Sequence, residues 1–429
     1  MFQEKTQKIK RLKYSAKTNK GTQFPERHRH NAYSEEEKRF AIMLMYSSRK
    51  TYTMLRTSGV LSRLPHDATI RGWIRDFKCR PGHNSHLMKL LHFKNLASTE
   101  KKDNYVVLML DGMHVKNETK YCASLGELVD GASEVEVVLL RGLYKNWKHV
   151  CQFDFDKKMS LEDLKTIICH IQESGLIVKV LVMDLGNHKL QSELEVANME
   201  YRFDNPTVPG ESILIMPDPI HGLKNLRNAI IEHGAVINWR GKSVKIGKQD
   251  FQAVITEHSK PGEPCILHKV DIIHHLELSK QEKQRVYKAF QLLSRRMANA
   301  FRLSGREDQA EIIAVINDYF DVFNSRSAHH FNPLKSGFGK NLELQMKAIE
   351  DMRELLMGMK FNPPGKRRRL AMMPFQKGLL MDIMSIIHLK DELDLNPDNF
   401  LLLSKVCFSL KMYPSSNNSF ICCRLTKTH

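Results

Sequence analysis

Two long apolar runs, each followed by an aspartate, constrain the fold of this chain most strongly. Residues 105–110 lead into Asp111, and residues 176–183, which are apolar except for Lys179, lead into Asp184. Continuous apolar runs of this length are typical of strands that are buried on both faces of a mixed or parallel sheet. The sequence therefore predicts an α/β domain in which two core strands each deliver a carboxylate.

The two aspartates suggest a metal site. An ionised carboxylate at the end of a buried strand is costly without a partner, and convergence of two or three on Mg²⁺ offsets that cost. Two such ions can activate a hydroxyl and stabilise the leaving oxygen in phosphoryl transfer. An Asp after a strand is also an ordinary turn or helix-capping residue, so the pattern alone leaves both interpretations of Asp111 and Asp184 open.

The rest of the chain from residue 105 combines strands with a long helical stretch. A third apolar strand at 213–216 leads into Asp218-Pro219-Ile220-His221 and a basic helix, and further strands are predicted at 120–125 and 134–143. Residues 275–390 show mostly helical periodicity, with helices at 281–301, 306–324 and 342–359. The pattern indicates a mixed α/β core that is interrupted by a helical block.

The front of the chain carries most of the net charge. The formal net charge is +18, and residues 1–104 hold 23 Lys and Arg against 9 Asp and Glu, a balance of +14. Basic side chains that neutralise phosphates release counterions, so nucleic acid is the favoured partner. A merely solubilising charge and an anionic membrane surface are the alternatives.

Three short helices are predicted after a basic arm at residues 1–33. Ser34 followed by three glutamates is a capping-box pattern that begins the first, and the others are expected at 50–57 and 68–77. In the third, Ile70, Trp73, Ile74 and Phe77 form an apolar stripe. This spacing indicates a helix-turn-helix whose other side presents Arg71, Arg75 and Lys78 to a DNA groove, or a small helical domain with a solvated basic face.

Two classes of protein are disfavoured by composition. The eight cysteines include no C-x-x-C pair, so neither a zinc finger nor a disulfide framework is indicated, and reduced thiols are expected. No run of about 18 apolar residues is present, and Met1 leads into polar residues rather than a signal-peptide core. We therefore expect a soluble intracellular protein that does not enter membranes.

Several phrases, taken in order, resemble the P-element or THAP-type DNA transposases. They cover about residues 33–405, and the collinear set is specific although each phrase alone is weak. The phrases are YSEE at 33–36, LPHDATIRGW at 64–73, LDGMHV at 110–115, VMDLGN at 182–187, DPIHGLKNLRN at 218–228, YFDVFNSR at 319–326 and PFQKG at 374–378.

The resemblance implies an RNase H-like core with three catalytic acids, split by a helical GTP-binding insertion and preceded by a helix-turn-helix. Asp111 and Asp184 would be the first two Mg²⁺ ligands. Phe320, Asp321 and Asn324 resemble the segment that contacts the guanine nucleotide; without the resemblance, Phe320 is a core residue and Asp321 a helix-end acid. DNA, GTP and possible self-association are the implied interactions, and the nucleus is the implied location.

The residue patterns and the resemblance together give approximate domain limits. They are a basic arm at 1–33, a helix-turn-helix at 34–80, a linker at 81–104, the first part of the core at 105–222, the insertion at 223–385, the start of the return to the core at 386–405, and an unrelated tail at 406–429.

Three departures from the family pattern bear on activity. Gly112 stands where the family often has Glu, no Cys/His set before Ser34 can form a THAP zinc finger, and residues 406–429 contain no Asp or Glu. The last departure predicts a truncated or alternatively ended product without the third acid. An active transposase, a non-catalytic DNA- or partner-binding regulator and a poorly folded transposon relic are the three competing hypotheses.

Overall fold

The computed structural model describes two compact units, one in the chain up to residue 79 and one in the chain from residue 80. The described residues are 33–58, 61, 64–74, 81–84, 87–89, 91–92, 100–115, 117–122, 127–259, 266–361 and 372–406. The arm before Tyr33, the parts of the predicted linker at 85–86, 90 and 93–99, and the tail after Val406 lie outside them. So do Arg75, Lys78 and the basic cluster at 366–369.

The N-terminal unit is helical, as the sequence predicts. Ser34 begins the first helix: its Oγ accepts a hydrogen bond from the Glu37 amide at 3.2 Å, and the Glu37 carboxylate accepts one from the Ser34 amide at 2.8 Å. A small apolar core of Ala41, Tyr52, Leu55, Leu64 and Ile70 holds the helices together. The helices are α1 (Glu35–Ser47), α2 (Arg49–Thr57) and α3 (Asp67–Ile74).

The second unit is built on a seven-stranded mixed sheet. Its spatial order is β1-β6-β5-β2-β7-β9-β8, with β2, β7 and β9 parallel to one another and the remaining pairs antiparallel. A separate pair, β3 with β4, forms a two-stranded ribbon. The strands are β1 (Gly82–His83), β2 (Tyr105–His114), β3 (Lys120–Cys122), β4 (Glu127–Val129), β5 (Glu134–Gly142), β6 (Lys148–Phe155), β7 (Ile177–Met183), β8 (Arg202–Asp204) and β9 (Ser212–Pro217).

Both faces of the three parallel strands are covered, which explains their largely apolar sequences. One face packs against α4 (Leu161–Glu173), through side chains such as Ile167 and Ile171. The other face packs against α6 (Pro219–His233) and α14 (Pro374–Glu392). The short helix α5 (His188–Glu193) follows β7.

Between α6 and α14 the chain forms a second, mostly helical region with a small antiparallel sheet in the order β11-β10-β12. Its strands are β10 (Ala235–Trp239), β11 (Lys242–Ile246) and β12 (Met359–Phe361). Its helices are α7 (Lys248–Glu257), α8 (Ile272–His275), α9 (Lys280–Gln284), α10 (Val286–Leu292), α11 (Arg295–Leu303), α12 (Glu307–Phe323) and α13 (Leu342–Gly358).

The structure corrects several expectations about element limits. The single helix expected at 281–301 is three helices, because Arg285 has extended backbone and Ser294 begins a new helix by accepting the Met297 amide. Strand β6 and the hairpin of β10 and β11 were not predicted. Asp111 lies inside β2 rather than after it, since that strand continues to His114.

Helix α14 connects the helical region to the main sheet without a break. At its start, the Gln376 amide Nε2 donates to the carbonyls of Leu356 and Met359 at 3.1 and 3.0 Å. Midway, Ser385 Oγ donates to the Ile215 carbonyl of β9 at 2.7 Å. At its end, Glu392 accepts a hydrogen bond from Lys179 of β7 at 2.6 Å. The predicted domain limit at 385/386 therefore falls inside a continuous helix. The division of the chain into these domains remains a prediction.

Other expectations concern membranes and thiols. None of the helices in the described ranges is long and apolar enough to cross a membrane. Cys151 and Cys169 are free thiols, and the Cys151 Sγ, buried in β6, donates to the Val138 carbonyl at 3.3 Å.

Candidate active site and DNA-binding surface

The strand register brings the two predicted aspartates side by side. Leu110 of β2 is paired with Met183 of β7, so Asp111 and Asp184 occupy the next register position on neighbouring parallel strands. Met183 is in turn paired with Pro217 of β9, which places Asp218 next to Asp184. Neighbouring strands lie about 4.8 Å apart. Three carboxylates therefore follow one another across the same edge of the sheet.

Side-chain alternation also places the three aspartates on one face. Asp111 has the same parity in β2 as Val107 and Met109, and Asp184 continues the parity of Val180 and Val182. Asp218 likewise continues the parity of Leu214 and Met216 in β9. All of these apolar residues belong to the core that lies against α6 and α14. The acids thus face the side of the sheet that α14 covers.

The turn after β7 holds Asp184 in place. Its Oδ1 accepts a hydrogen bond from the Gly186 amide at 2.9 Å. A Cβ on Gly186 would lie 3.0 Å from that same oxygen, so a residue with a side chain there would crowd the carboxylate. Asn187 then caps α5 by accepting the Leu190 amide, and its Nδ2 donates to the Met159 carbonyl at 2.9 Å. The Asp-Leu-Gly-Asn segment is therefore a turn that orients a partly exposed carboxylate.

The carboxylates of Asp111 and Asp184 are the oxygen ligands that a hard divalent cation such as Mg²⁺ prefers. Mg²⁺ is commonly held by one or two carboxylates, with water and substrate phosphates completing its coordination. Within the described ranges, no group of three or more His, Cys, Asp or Glu side chains is placed to hold a metal. Asp111 and Asp184 are therefore the candidate pair of ligands, and Asp218 is the further carboxylate that the strand register places beside them.

Gly112, where the family often has Glu, lies against another acid. A Cβ at this position would be only 2.8 Å from Oε1 of Glu134, which forms an ion pair with Lys158 at 2.5 Å. Glu136 is the register partner of Gly112; it is buried and accepts a hydrogen bond from the Met159 amide. Desolvation by burial raises the pKa of Glu136. A larger residue at 112 would have to displace the Glu134 carboxylate.

Asp382 of α14 is an acid of this region that the sequence patterns did not single out. It is 1% exposed, and neither of its carboxyl oxygens has a hydrogen-bond partner in the described part of the chain. It lies near Asp218, which caps α6 by accepting the Ile220 amide at 2.9 Å. The two helices touch closely, since a Cβ on Gly222 of α6 would lie 2.5 Å from the Leu379 side chain of α14.

Burial, together with the nearby Asp218 carboxylate, raises the pKa of Asp382 well above its usual value. A carboxyl group with no partner and no solvent is most stable as the neutral acid. The sequence did contain a signal for this residue, because Asp382 is the one charged residue in the helical run 379–387, which is otherwise apolar except for Ser385.

In the N-terminal unit, the third helix presents the one predicted DNA-binding residue that the structure describes. Arg71 is exposed on α3, whereas Ile70 is fully buried and Trp73 packs against the core and the Tyr33 ring. Asp67 at the start of α3 forms an ion pair with Arg49 of α2 at 3.0 Å. The predicted separation of an apolar stripe from a basic side is thus seen for Ile70 and Arg71, while Arg75 and Lys78 lie outside the described residues.

The three residues compared with a guanine site have different surroundings. Phe320 is buried and makes edge contacts with Tyr319 and Phe290, with ring centroids 4.9 and 6.2 Å apart. The Asp321 carboxylate is also buried, and Asn324 at the end of α12 accepts a hydrogen bond from Arg326 Nε at 3.1 Å.

Three side chains hold the Asp321 carboxylate. Asn317 and Asn332 donate to its Oδ2 at 3.1 and 2.9 Å, and Lys335 pairs with its Oδ1 at 3.1 Å. Burial raises the pKa of Asp321, and the nearby Lys335 opposes that rise. Its contacts are therefore those of a satisfied structural acid in this structure.

Comparison with known proteins agrees with this architecture. Residues 2–73 match the helix-turn-helix domain of transposable element P transposase-like proteins, and residues 79–193 match the N-terminal RNase H domain of TNP-like proteins. The Transposable element P transposase of Drosophila melanogaster is 28% identical over 357 residues, which cover 81% of this chain and 45% of that protein. This chain thus spans less than half the length of that relative.

A solved structure is similar over nearly the whole chain. The Drosophila P element transposase strand transfer complex superposes with a TM-score of 0.72 at 25% identity, covering 95% of this chain and 90% of the other. Together with the matched domains, this shows the fold that the resemblance predicts, with an RNase H-like mixed sheet, a helical insertion and an N-terminal helix-turn-helix. The chain is thus P-element transposase-like in sequence and fold, and the predicted resemblance is confirmed.

Replacement of Asp382 by Asn should remove a pH-dependent loss of stability. The raised folded-state pKa means that the folded chain binds this proton more tightly than the unfolded chain. The stability that the protonated Asp382 carboxyl gives to the folded chain is therefore fully present below the unfolded pKa of about 3.9. It is lost as the pH rises through the folded-state pKa. The Asp382→Asn variant should be more stable than the wild type at neutral pH, and the two should converge in acid.

Urea unfolding between pH 3 and 8 measures this difference. Asp204→Asn is the control, because Asp204 is an exposed acid on the edge strand β8. Parallel stability curves for the wild type and Asp382→Asn would show that Asp382 titrates alike in the folded and unfolded chains.

Proposed function

We propose that this chain is a transposase-type DNA-binding protein in which Asp111 and Asp184 hold a divalent cation at the edge of the RNase H-like sheet. The observation that carries the proposal is the adjacent register of the two aspartates on parallel strands. The basic front of the chain and the helix-turn-helix support DNA as the partner. The match spans only 45% of the fly transposase. Binding of DNA and of a metal ion by this chain is therefore proposed separately from cleavage and transfer of DNA strands.

The two aspartates have different parts in this site. Asp111 is buried in β2, so it offers a fixed carboxylate, whereas the partly exposed Asp184 is oriented by the Gly186 amide. When bound, Mg²⁺ would supply activation of a hydroxyl nucleophile and stabilisation of the leaving oxygen in phosphoryl transfer. Two carboxylates suffice to bind one ion with water and phosphate. We propose that cutting requires a further ligand beyond this pair, so that the chain binds DNA without cleaving it alone.

Location in the nucleus is part of the same proposal. DNA as the partner and the basic cluster at 366–369 support it. Microscopy of the chain with and without that cluster tests it, and unchanged exclusion from the nucleus in both would contradict it.

Asp111→Asn and Asp184→Asn should each weaken binding of Mn²⁺, a spectroscopically convenient substitute for Mg²⁺, by at least about tenfold. Loss of a residue that only hydrogen-bonds to a metal ligand typically lowers metal affinity about 10- to 100-fold. Loss of a ligand itself should lower the affinity by at least as much. Mn²⁺ titration by calorimetry or electron paramagnetic resonance measures it, with Asp204→Asn as an exposed-acid control. Equal affinity in all four proteins would rule out the site, and Mg²⁺-dependent DNA cutting by the wild type would show that a further ligand exists.

Reversal of charge at Arg71 should weaken duplex DNA binding and reduce the magnitude of its salt slope by about 0.9, as expected for one lost phosphate contact. The matched control is Arg39→Glu, the same charge change at an exposed position on α1 of the same unit. Fluorescence anisotropy with a labelled duplex between 50 and 200 mM salt measures both. Equal effects of the two reversals would indicate a general electrostatic term and not a recognition helix.

We also propose that the helical insertion binds a guanine nucleotide, with Asp321 as the residue that contacts the base. Its carboxylate can accept two N–H groups of guanine if Asn332 and Lys335 are displaced from it. Phe320 would support the site only from the core. Asp321→Asn should abolish GTP binding measured by calorimetry, while Asp318→Asn on the same helix should not. Equal GTP affinity in these two variants would exclude a guanine contact at Asp321.

A further inference from the structure

Phe331 lies on the surface of the second unit in an unusual way. It is 94% exposed, the highest value among the large apolar side chains that the structure describes as exposed. It follows α12 in the segment of residues 325–341, which we call the basic loop. An aromatic ring left in water contributes little to folding. Single exposed apolar side chains are common on protein surfaces, so a ligand is indicated only by the groups that surround this ring.

The residues around Phe331 are well anchored. The His330 amide donates to Ser336 Oγ at 3.1 Å, and the Asn332 amide donates to His330 Nδ1 at 3.0 Å. The Asn332 side chain reaches the buried Asp321 at 2.9 Å. Further along, the Gln345 amide Nε2 of α13 donates to the Ser336 carbonyl at 3.1 Å. The ring is therefore presented from a hydrogen-bonded frame, which lowers the conformational entropy lost on binding.

One side of the Phe331 ring already has an aromatic neighbour. The His330 imidazole lies with its centroid 4.3 Å from that of Phe331 and its plane tilted by 34°. Because Phe331 stays 94% exposed, this neighbour leaves room for another flat group. A planar heteroaromatic ring can extend the stack that His330 and Phe331 begin.

The positive charge of the basic loop favours a planar ligand that carries negative charge. Residues 325–341 include Arg326, Lys335 and Lys340 and no Asp or Glu. Lys335 is paired with Asp321, and Lys340 lies over the Phe400 ring at 4.6 Å. A protein partner would require a larger apolar patch than one ring. A nucleobase joined to a phosphate combines the planar face and the negative charge that this surface complements.

We propose that the basic loop binds an unpaired base of single-stranded DNA by stacking it on Phe331, with the adjoining phosphates near Arg326, Lys335 and Lys340. This inference rests on the proposed DNA-binding function and adds a second, single-stranded subsite in the RNase H-like unit. Stacking on an aromatic side chain tolerates any base, so the subsite contributes affinity without reading sequence.

The test uses the whole chain and a short single-stranded oligonucleotide that contains 2-aminopurine, whose fluorescence falls on stacking. Phe331→Ala should lose that quenching and bind the oligonucleotide roughly 5- to 150-fold more weakly, the range found for removal of one stacking ring. Phe331→Trp should restore both. Leu303→Ala is the matched control, because Leu303 is also an apolar side chain with 70% exposure but lies outside the basic loop. Thermal melts should be alike for all four proteins.

The outcomes separate this inference from the proposed function. Equal oligonucleotide affinity of Phe331→Ala and Leu303→Ala, with duplex binding intact, would overturn the stacking subsite alone. Absence of binding to both duplex and oligonucleotide in the wild type would overturn both proposals. Titration with free GTP of Phe331→Trp that also carries Asp321→Asn, which removes the proposed guanine site, is the last arm. Tryptophan quenching by GTP as strong as that by the oligonucleotide would overturn DNA as the source of the base.

Discussion

The parallel pairing of β2 with β7 is the contact on which the rest of the second unit depends. It sets Asp111 beside Asp184, and the pairing of β7 with β9 extends the same register to Asp218. Backbone hydrogen bonds, buried on both sides by apolar residues, hold these strands at fixed spacing. The positions of the carboxylates are therefore consequences of the sheet. A one-residue slip in this pairing would turn the acids towards opposite faces.

Helix α14 then determines the environment of that edge. It brings the buried Asp382 towards Asp218 and covers the face to which the strand-end acids belong. Burial and the nearby Asp218 carboxylate raise the pKa of Asp382, whereas the partly exposed Asp184 carboxylate accepts a hydrogen bond from the Gly186 amide. The acids near this edge of the sheet therefore lie in quite different environments.

Much of this architecture follows from the sequence, for identifiable reasons. Strands β2, β7 and β9 are largely apolar on both faces, so each can be recognised in the sequence as a run of apolar residues. Strand β6 buries Cys151 and Phe153 but begins with exposed polar residues, which hides it. The hairpin of β10 and β11 was missed although Arg240 and Gly241, both at positive φ, form a two-residue turn of the type that joins twisted strands. The break at Arg285 has no proline or glycine to announce it.

The continuity of α14 has a mechanical consequence. Over nineteen residues it is a rod of roughly 28 Å, at about 1.5 Å per residue. It is fastened at one end to the carbonyls that lead into the small sheet, and at the other to Lys179 in the centre of the large one. Such a strut leaves no joint at which the insertion could swing freely, so a ligand that tightens either sheet should stiffen the other.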